Sequence, residues 1–194
     1  MVFATALAAL THSGADEREQ IMLGTLIAQR DRPEWRRVVG PLLNVSVLAV
    51  DLSPADSPAE ALAAVRTGAL RAYRSANVPF QELAPLLTPA AGGDGSPFDV
   101  MLVMQPPTRP VELVGLEVAA TDLDIAAAPY PLLIDIEERD GGYQVNYRYQ
   151  TGRFDAAGIA DLAHRLHATV RALAGAGAAS LAELLPVRDL VERA

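Results

Sequence analysis

Runs of apolar residues along this chain alternate with polar breaks, and their spacing separates strands from helices. Val2–Leu10 is apolar on every side and predicts a short buried helix, closed by the polar stretch THSGADERE. QIMLGTLIA is apolar on both faces, as a central strand would be. LLNVSVLAVDL (Leu42–Leu52) predicts a second buried strand, with Asn44 and Ser46 two apart and therefore on one face. FDVMLVM predicts a third. LLIDIEE and YQVNYRYQ alternate around a turn at Asp140–Gly142, the strongest hairpin signal in the sequence. In the second of these, Tyr143, Val145, Tyr147 and Tyr149 share one face, while Gln144, Asn146, Arg148 and Gln150 share the other.

Three segments follow the helical period. Ser57–Glu60 reads as a capping box with Pro58 at the first helical position, opening a helix that turns Leu62, Val65, Ala69 and Tyr73 inward. In SANVPFQELAPLL (Ser75–Leu87) that helix stops and another begins. Proline is tolerated in a first helical turn and pushes the residue before it, Val78, toward an extended conformation. The expectation is a helix–kink–helix corner with Phe80, Leu83 and Leu87 on one stripe. The third helix spans Asp155 to Ala174. Asp155 is its N-cap, Phe154 can staple to Ile159, and Ile159, Leu162, Ala163, Leu166, Val170 and Leu173 form its apolar face.

Between Gln105 and Pro131 lies a long excursion with some strand character and no fixed period. A Gly-Ala linker and a short tail occupy 175–194. Counting the excursion as a strand, the order is α-β-β-α-α-β-β-β-β-α, an α/β (α+β) layer structure with a mixed sheet flanked by helices, in a single domain over 1–194.

Composition narrows the chemistry. A net charge of −8 and a pI near 4.8 argue against nucleic acid, which needs clustered Lys and Arg. The absence of cysteine excludes disulfides, thiolate metal sites and a cysteine nucleophile. No apolar run is long enough to span a bilayer, and the N-terminus lacks the basic region of a secretory signal, so the cytoplasm is the expected location and no membrane partner is expected.

His164, His167 and Asp161 rotate around the polar side of the last helix, which reads as a solvated face and not as a metal site. His12 falls in a loop with no catalytic neighbour in the sequence. GAGAAS (Gly175–Ser180) follows a helix, whereas a phosphate loop follows a strand, so it reads as a linker. Glu137 and Glu138 read as a solvated hairpin rim. The loop QRDRPEWRR concentrates Arg30, Arg32, Arg36 and Arg37 around the only tryptophan, Trp35, and is either a solvated turn or a surface for an acidic partner. Asn44 and Ser46, on a buried strand, must be satisfied: by neighbouring backbone, or by lining a cavity for a polar chain. No self-contained active site and no metal site emerge.

Several stretches nevertheless line up with one family. MLGTLIAQRDRPEW resembles the Val-Gly-Thr-Pro-x-Ala-x-Arg-x-Arg-Pro-Glu stretch of condensation domains from nonribosomal peptide synthetases. VVGPLLNVSVLAVDLS, with Gly40 and Asn44, is similar to their Ile-Gly-x-Phe-Val-Asn-Thr motif. SANVPFQEL, with Asn77, Pro79 and Phe80, resembles Asn-Gln-Asp-Tyr-Pro-Phe-Glu. GDGSPFDVMLVMQ, with Pro97, Phe98 and Gln105, resembles Arg-Asn-Pro-Leu-Phe-x-Val-x-Phe. The segment from Leu132 to Leu166 resembles the family's closing strands and helix.

The resemblance implies the C-terminal lobe of such a domain, a fold like chloramphenicol acetyltransferase. In the family two lobes enclose a tunnel that admits 4'-phosphopantetheine arms from donor and acceptor carrier proteins. The catalytic His-His-x-x-x-Asp-Gly motif lies on the N-terminal lobe and has no counterpart here. This lobe would bind no cofactor directly and carry no catalytic residue. It would supply a tunnel wall, with Asn44 and Ser46, and a crossover segment within 105–131 that adds a strand to the N-terminal lobe. Departures include Leu42-Leu43 for Phe-Val, Ala49 for an arginine usual after the motif asparagine, Gly95-Ser96 for Arg-Asn and Pro131 for a common aspartate. They are compatible with a divergent or non-catalytic member, or with an unusual substrate; the alternative functions are a catalytically inactive platform that recruits a partner enzyme and a carrier- or CoA-dependent acyltransferase that forms esters.

Overall fold

In the computed structural model, residues 1–12, 20–91, 96–107, 113–119, 121, 127–139, 141–175 and 180 are described. The elements run α1 (Val2–His12), β1 (Ile21–Ala28), a 3-10 turn (Pro33–Arg37), β2 (Leu43–Val50), α2 (Pro58–Arg74), α3 (Phe80–Ala91), β3 (Val100–Gln105), β4 (Leu132–Arg139), β5 (Gly142–Tyr149) and α4 (Ala156–Gly175). One five-stranded mixed sheet has the order β2-β1-β3-β4-β5. β1 pairs antiparallel with β2, and β4 with β5, each over eight residues; β3 runs parallel to both β1 and β4. The expected α/β architecture is therefore present. The LLNVSVLAVDL strand, expected to be buried, lies at the sheet edge, and within β2 only Ser46, Leu48 and Val50 are buried. The excursion contributes only one isolated bridge, Leu113 to Leu116 around Gly115, among its described residues. Of the linker and tail expected over 175–194, Gly175 instead ends α4, and the rest lies outside the described residues apart from Ser180.

Two apolar clusters sit on opposite faces of the sheet. On the first face, Leu23, Leu48, Val50, Leu132, Ile134 and Ile136 pack with α1, α2 and α4. α1 is buried from Ala4 to Leu10, as an all-apolar helix must be. It reaches two residues further than expected, so His12 ends a helix and does not sit in a loop. Val145, Tyr147 and Tyr149 of β5 join this cluster, and Phe3 of α1 meets Tyr143 edge-on at 5.1 Å. The hairpin alternation expected for YQVNYRYQ is thus realised. The second face carries a smaller cluster of Phe98, Met101, Val103 and Leu133, flanked by Met22, Leu26, Val45, Val47, Phe80 and Tyr130.

Helix α2 begins with the expected box: Ser57 Oγ accepts from the Glu60 backbone N–H, and Glu60 Oε2 accepts from the Ser57 N–H at 3.0 Å. Its buried stripe is narrower than the period alone implied. Ala61, Val65, Gly68, Ala69 and Ala72 face the sheet, whereas Leu62 and Tyr73 are exposed. Small residues win because α2 lies close against β2: a Cβ at Gly68 would sit 2.6 Å from the carbonyl oxygen of Ala49.

In α4, Asp155 Oδ1 accepts from the Gly158 N–H at 2.6 Å, and Phe154 and Ile159 share the main cluster. Arg165 and Thr169 are also buried there, beyond the apolar face read from the sequence. His164 and His167 are exposed, on the face read as solvated.

The sheet has a narrow centre. β1 and β3 share only the pairs Leu23↔Val100 and Gly24↔Met101. Beyond them the Thr25 hydroxyl donates to the Leu102 carbonyl at 2.9 Å, a side chain standing in for the next ladder bond.

Two consequences are measurable. Gly68→Ala forces the α2 backbone away from Ala49 and should lower unfolding stability by about 1–3 kcal/mol, the usual cost of overpacking, read from denaturant midpoints. Three hydrogen bonds, led by the Ser57 hydroxyl, hold the Glu60 carboxyl below its ordinary value of 4.5. Because the folded value is depressed, the cap's contribution is complete above the unfolded value and is lost as pH falls through the folded one. A carboxyl NMR titration should find Glu60 below 4.5, and Ser57→Ala should move it upward.

Candidate functional site: the edge-strand corner and the second sheet face

Asn44 lies on β2, on the same face as Ser46, where that edge strand meets the turn between α2 and α3. Its amide nitrogen donates to the carbonyls of Ala76 at 2.8 Å and Val78 at 2.7 Å, and its amide oxygen accepts from the Phe80 N–H at 3.1 Å. Only one orientation of the amide meets two acceptors and one donor. Gln29, just past β1, donates to the same Ala76 carbonyl at 2.9 Å. Ser46, 6% exposed, donates to the Ala72 carbonyl at 3.4 Å. Of the two alternatives open for Asn44 and Ser46, neighbouring backbone is what both side chains bond.

The corner itself has the expected form. α2 ends at Arg74, Pro79 and Val78 intervene, and α3 starts at Phe80 with the Glu82 N–H donating to the Pro79 carbonyl. Asn77 and Pro79 are exposed. Phe80, Leu83 and Leu87 are half-buried together, while Leu86 is 77% exposed. Phe80 packs on Phe98 at 6.0 Å, and Phe98 on Tyr130 at 5.6 Å. The Phe98 ring covers Gly24, where a Cβ would collide with it. A glycine inside an apolar strand was the available signal for this close approach. Pro97 is buried beside Phe98, and Gln105 ends β3 opposite Glu137. Burial holds the Tyr130 phenol above its ordinary range, so it stays protonated at neutral pH.

Beyond the aromatics, the second face turns polar. Alternation with Leu133 places Asp135 and Glu137 there on β4, and alternation with Val145 and Tyr147 places Gln144, Asn146 and Arg148 beside them on β5. One carboxylate oxygen of Asp135 is buried without a hydrogen-bond partner among the described residues. Glu137 is not the solvated rim residue expected: it is 9% exposed and paired with Arg139 at 2.6 Å. Its cross-strand neighbours Gln105 and Gln144 are exposed, and the Glu137 carboxylate is matched by the Arg139 guanidinium two residues on.

The loop between β1 and β2 is organised by Arg30. Its guanidinium donates to the carbonyls of Trp35 at 2.8 Å, Val38 at 2.9 Å and Gly40 at 3.1 Å. Gly40 takes a positive φ of 150°. Nothing in the sequence alone singled out Arg30 from the three arginines that follow it.

The chain as a whole matches known proteins. The family model for the condensation domain matches residues 1–193. Malpinin synthetase of Mortierella alpina is 33% identical over 169 residues, 86% of this chain and 2% of that protein. The dimodular nonribosomal peptide synthase of Bacillus subtilis is 33% identical over 175 residues, 86% of this chain and 7% of that protein. The chain thus spans a small fraction of the curated relatives it matches. Among solved structures, the X-domain from teicoplanin biosynthesis superposes with a TM-score of 0.76 at 23% identity, covering 93% of this chain and 42% of that one. The first condensation domain of the CDA synthetase gives a TM-score of 0.70 at 20% identity, covering 94% and 40%.

Asn44→Ala strands the Val78 carbonyl and the Phe80 N–H, leaving the Ala76 carbonyl to Gln29 alone, and should cost about 2 kcal/mol of stability. Asn44→Asp keeps the bond from Phe80 but sets a carboxylate against two carbonyl oxygens, so it should rescue little, as thermal unfolding of both variants will show. On the match to residues 1–193, and on its relatives among peptide synthetases, this chain belongs to the condensation domain family.

Proposed function

We propose that the chain is the C-terminal lobe of a condensation domain, working in amide-bond formation between carrier-bound substrates. The observation that carries this reading is the share of the condensation-fold structures it spans: about two-fifths of each, while nearly all of this chain is used. In this reading the chain forms one domain with a crossover segment within 105–131. Leu113, Val114 and Leu116 are 52%, 106% and 67% exposed, an apolar tip suited to a partner surface. The polar second face, with its unpaired Asp135 oxygen, supports the same conclusion, since a buried polar atom needs a partner.

The acceptor amine attacks the donor thioester carbonyl; the amide C–N bond forms, the C–S bond breaks, and the pantetheine thiol leaves with a proton. Proton handling belongs to an imidazole on the other lobe. The contribution of this lobe is position: a wall that confines two phosphopantetheine arms so that their ends meet, an advantage of proximity. Asn44 acts there as a positioning residue, holding the α2–α3 corner and, through Phe80, the aromatic cluster. Ser46 supports the same helix end. Donor and acceptor carrier proteins and the N-terminal lobe are the partners.

The lone chain, given two carrier-bound substrates, should give no amide, and addition of an N-terminal lobe bearing the two-histidine motif should restore product, followed by mass spectrometry. Turnover by this chain alone, lost on replacing His164 or His167, would overturn the reading. An intact two-lobed domain that binds an enzyme partner and never forms amide would favour the platform instead.

A further inference from the structure

The basic loop is left unused by the proposed chemistry. The sequence has no lysine, so all 16 of its basic residues are arginine, against 24 acids. Between Arg30 and Arg37 the balance reverses, with four arginines and two acids. Arg30 is occupied as the clamp described above. Arg32 lies over the Trp35 ring, 4.8 Å from its centroid, and Arg36 and Arg37 are exposed with no ion pair among the described residues. The clamp fixes the loop, so these groups are presented on a preorganised turn, not on a floppy one.

The loop is also placed. Gln29 at its base and Asn44 just past its end both bond Ala76, so it emerges at the end of the sheet where α2 finishes. Arg71 and Arg74, exposed in the last turn of α2, add charge at that end and face the negative pole of their helix. Guanidinium groups pair in fork geometry with carboxylates and phosphates, and a half-buried indole offers a flat apolar contact among them.

We infer that the Arg32–Arg37 loop is a docking surface for the acidic face of a carrier protein. This rests on the proposed function, in which carriers bring their arms to the wall that this lobe supplies. A chain of net charge −8 repels an acidic partner over most of its surface, so a local basic patch selects both the place and the orientation of approach.

The test uses the intact domain carrying this lobe and a pantetheine-loaded carrier protein from the same synthetase. Binding is followed by fluorescence anisotropy at low and at physiological salt. Arg36→Glu combined with Arg37→Glu should weaken binding about tenfold or more at low salt, with a smaller effect when salt screens the charges. Arg171→Glu, an equal charge change per residue on exposed α4 surface, should leave binding near wild type. Reversing one acid on the carrier should recover part of the loss.

Unchanged binding by the double variant, or an equal loss per charge with Arg171→Glu, overturns the docking surface. So does reversal-sensitive binding of duplex DNA or anionic vesicles without any binding of carrier. Amide production by the wild-type domain is scored separately. Product with carrier binding indifferent to the reversal sinks this surface alone, whereas reversal-sensitive binding without product sinks the amide-forming role and leaves the surface standing.

Discussion

One primary amide joins the sheet to the helices where β2 meets the turn between α2 and α3. An edge strand and a kinked pair of helices both expose backbone groups that a regular element would have satisfied. Asn44 answers three of them from a single side chain, and Gln29 reinforces one. Because Phe80 provides the third, the tether fixes more than the turn: it sets where the Phe80 ring enters the Phe98–Tyr130 cluster, and that cluster covers Gly24 on the sheet. Hydrogen bonding on one face of β2 is thereby coupled to aromatic packing on the other.

Much of this architecture was legible because its signals are local. The capping box at Ser57, the N-cap at Asp155 and the alternation of Tyr143 to Tyr149 depend on neighbours within one turn or one strand. The position of β2 at the sheet edge was not legible, since an edge strand covered on both faces has the same apolar composition as an interior one. Leu62 and Tyr73 were misplaced because helical period locates a stripe but not its centre. Contact with Ala49 at Gly68 rotated α2 toward its small residues.

For the site, the sequence offered Asn44 and Ser46 as buried polar groups in need of partners, but could not choose between backbone and cavity. That choice depends on a corner about thirty residues away along the chain. Arg30 went unrecognised for a related reason: a clamp and a free charge look alike until the carbonyls they meet are located. Glu137 was read as solvated from its place near a hairpin end, whereas it is buried and paired with Arg139.

The two-pair junction between β1 and β3 divides the sheet into the β1–β2 hairpin, with eight paired residues, and the three strands β3–β4–β5, joined over six and eight. Each part carries its own ladder, and few backbone bonds cross between them. The junction is therefore held less by its ladder than by the first-face core, where Leu23, Leu48 and Val50 share one cluster with Leu132, Ile134 and Ile136. Across that seam Thr25 is the rivet: its hydroxyl bond to the Leu102 carbonyl carries the join one step past the last backbone pair, so the two halves of the sheet are registered by a side chain as much as by main chain.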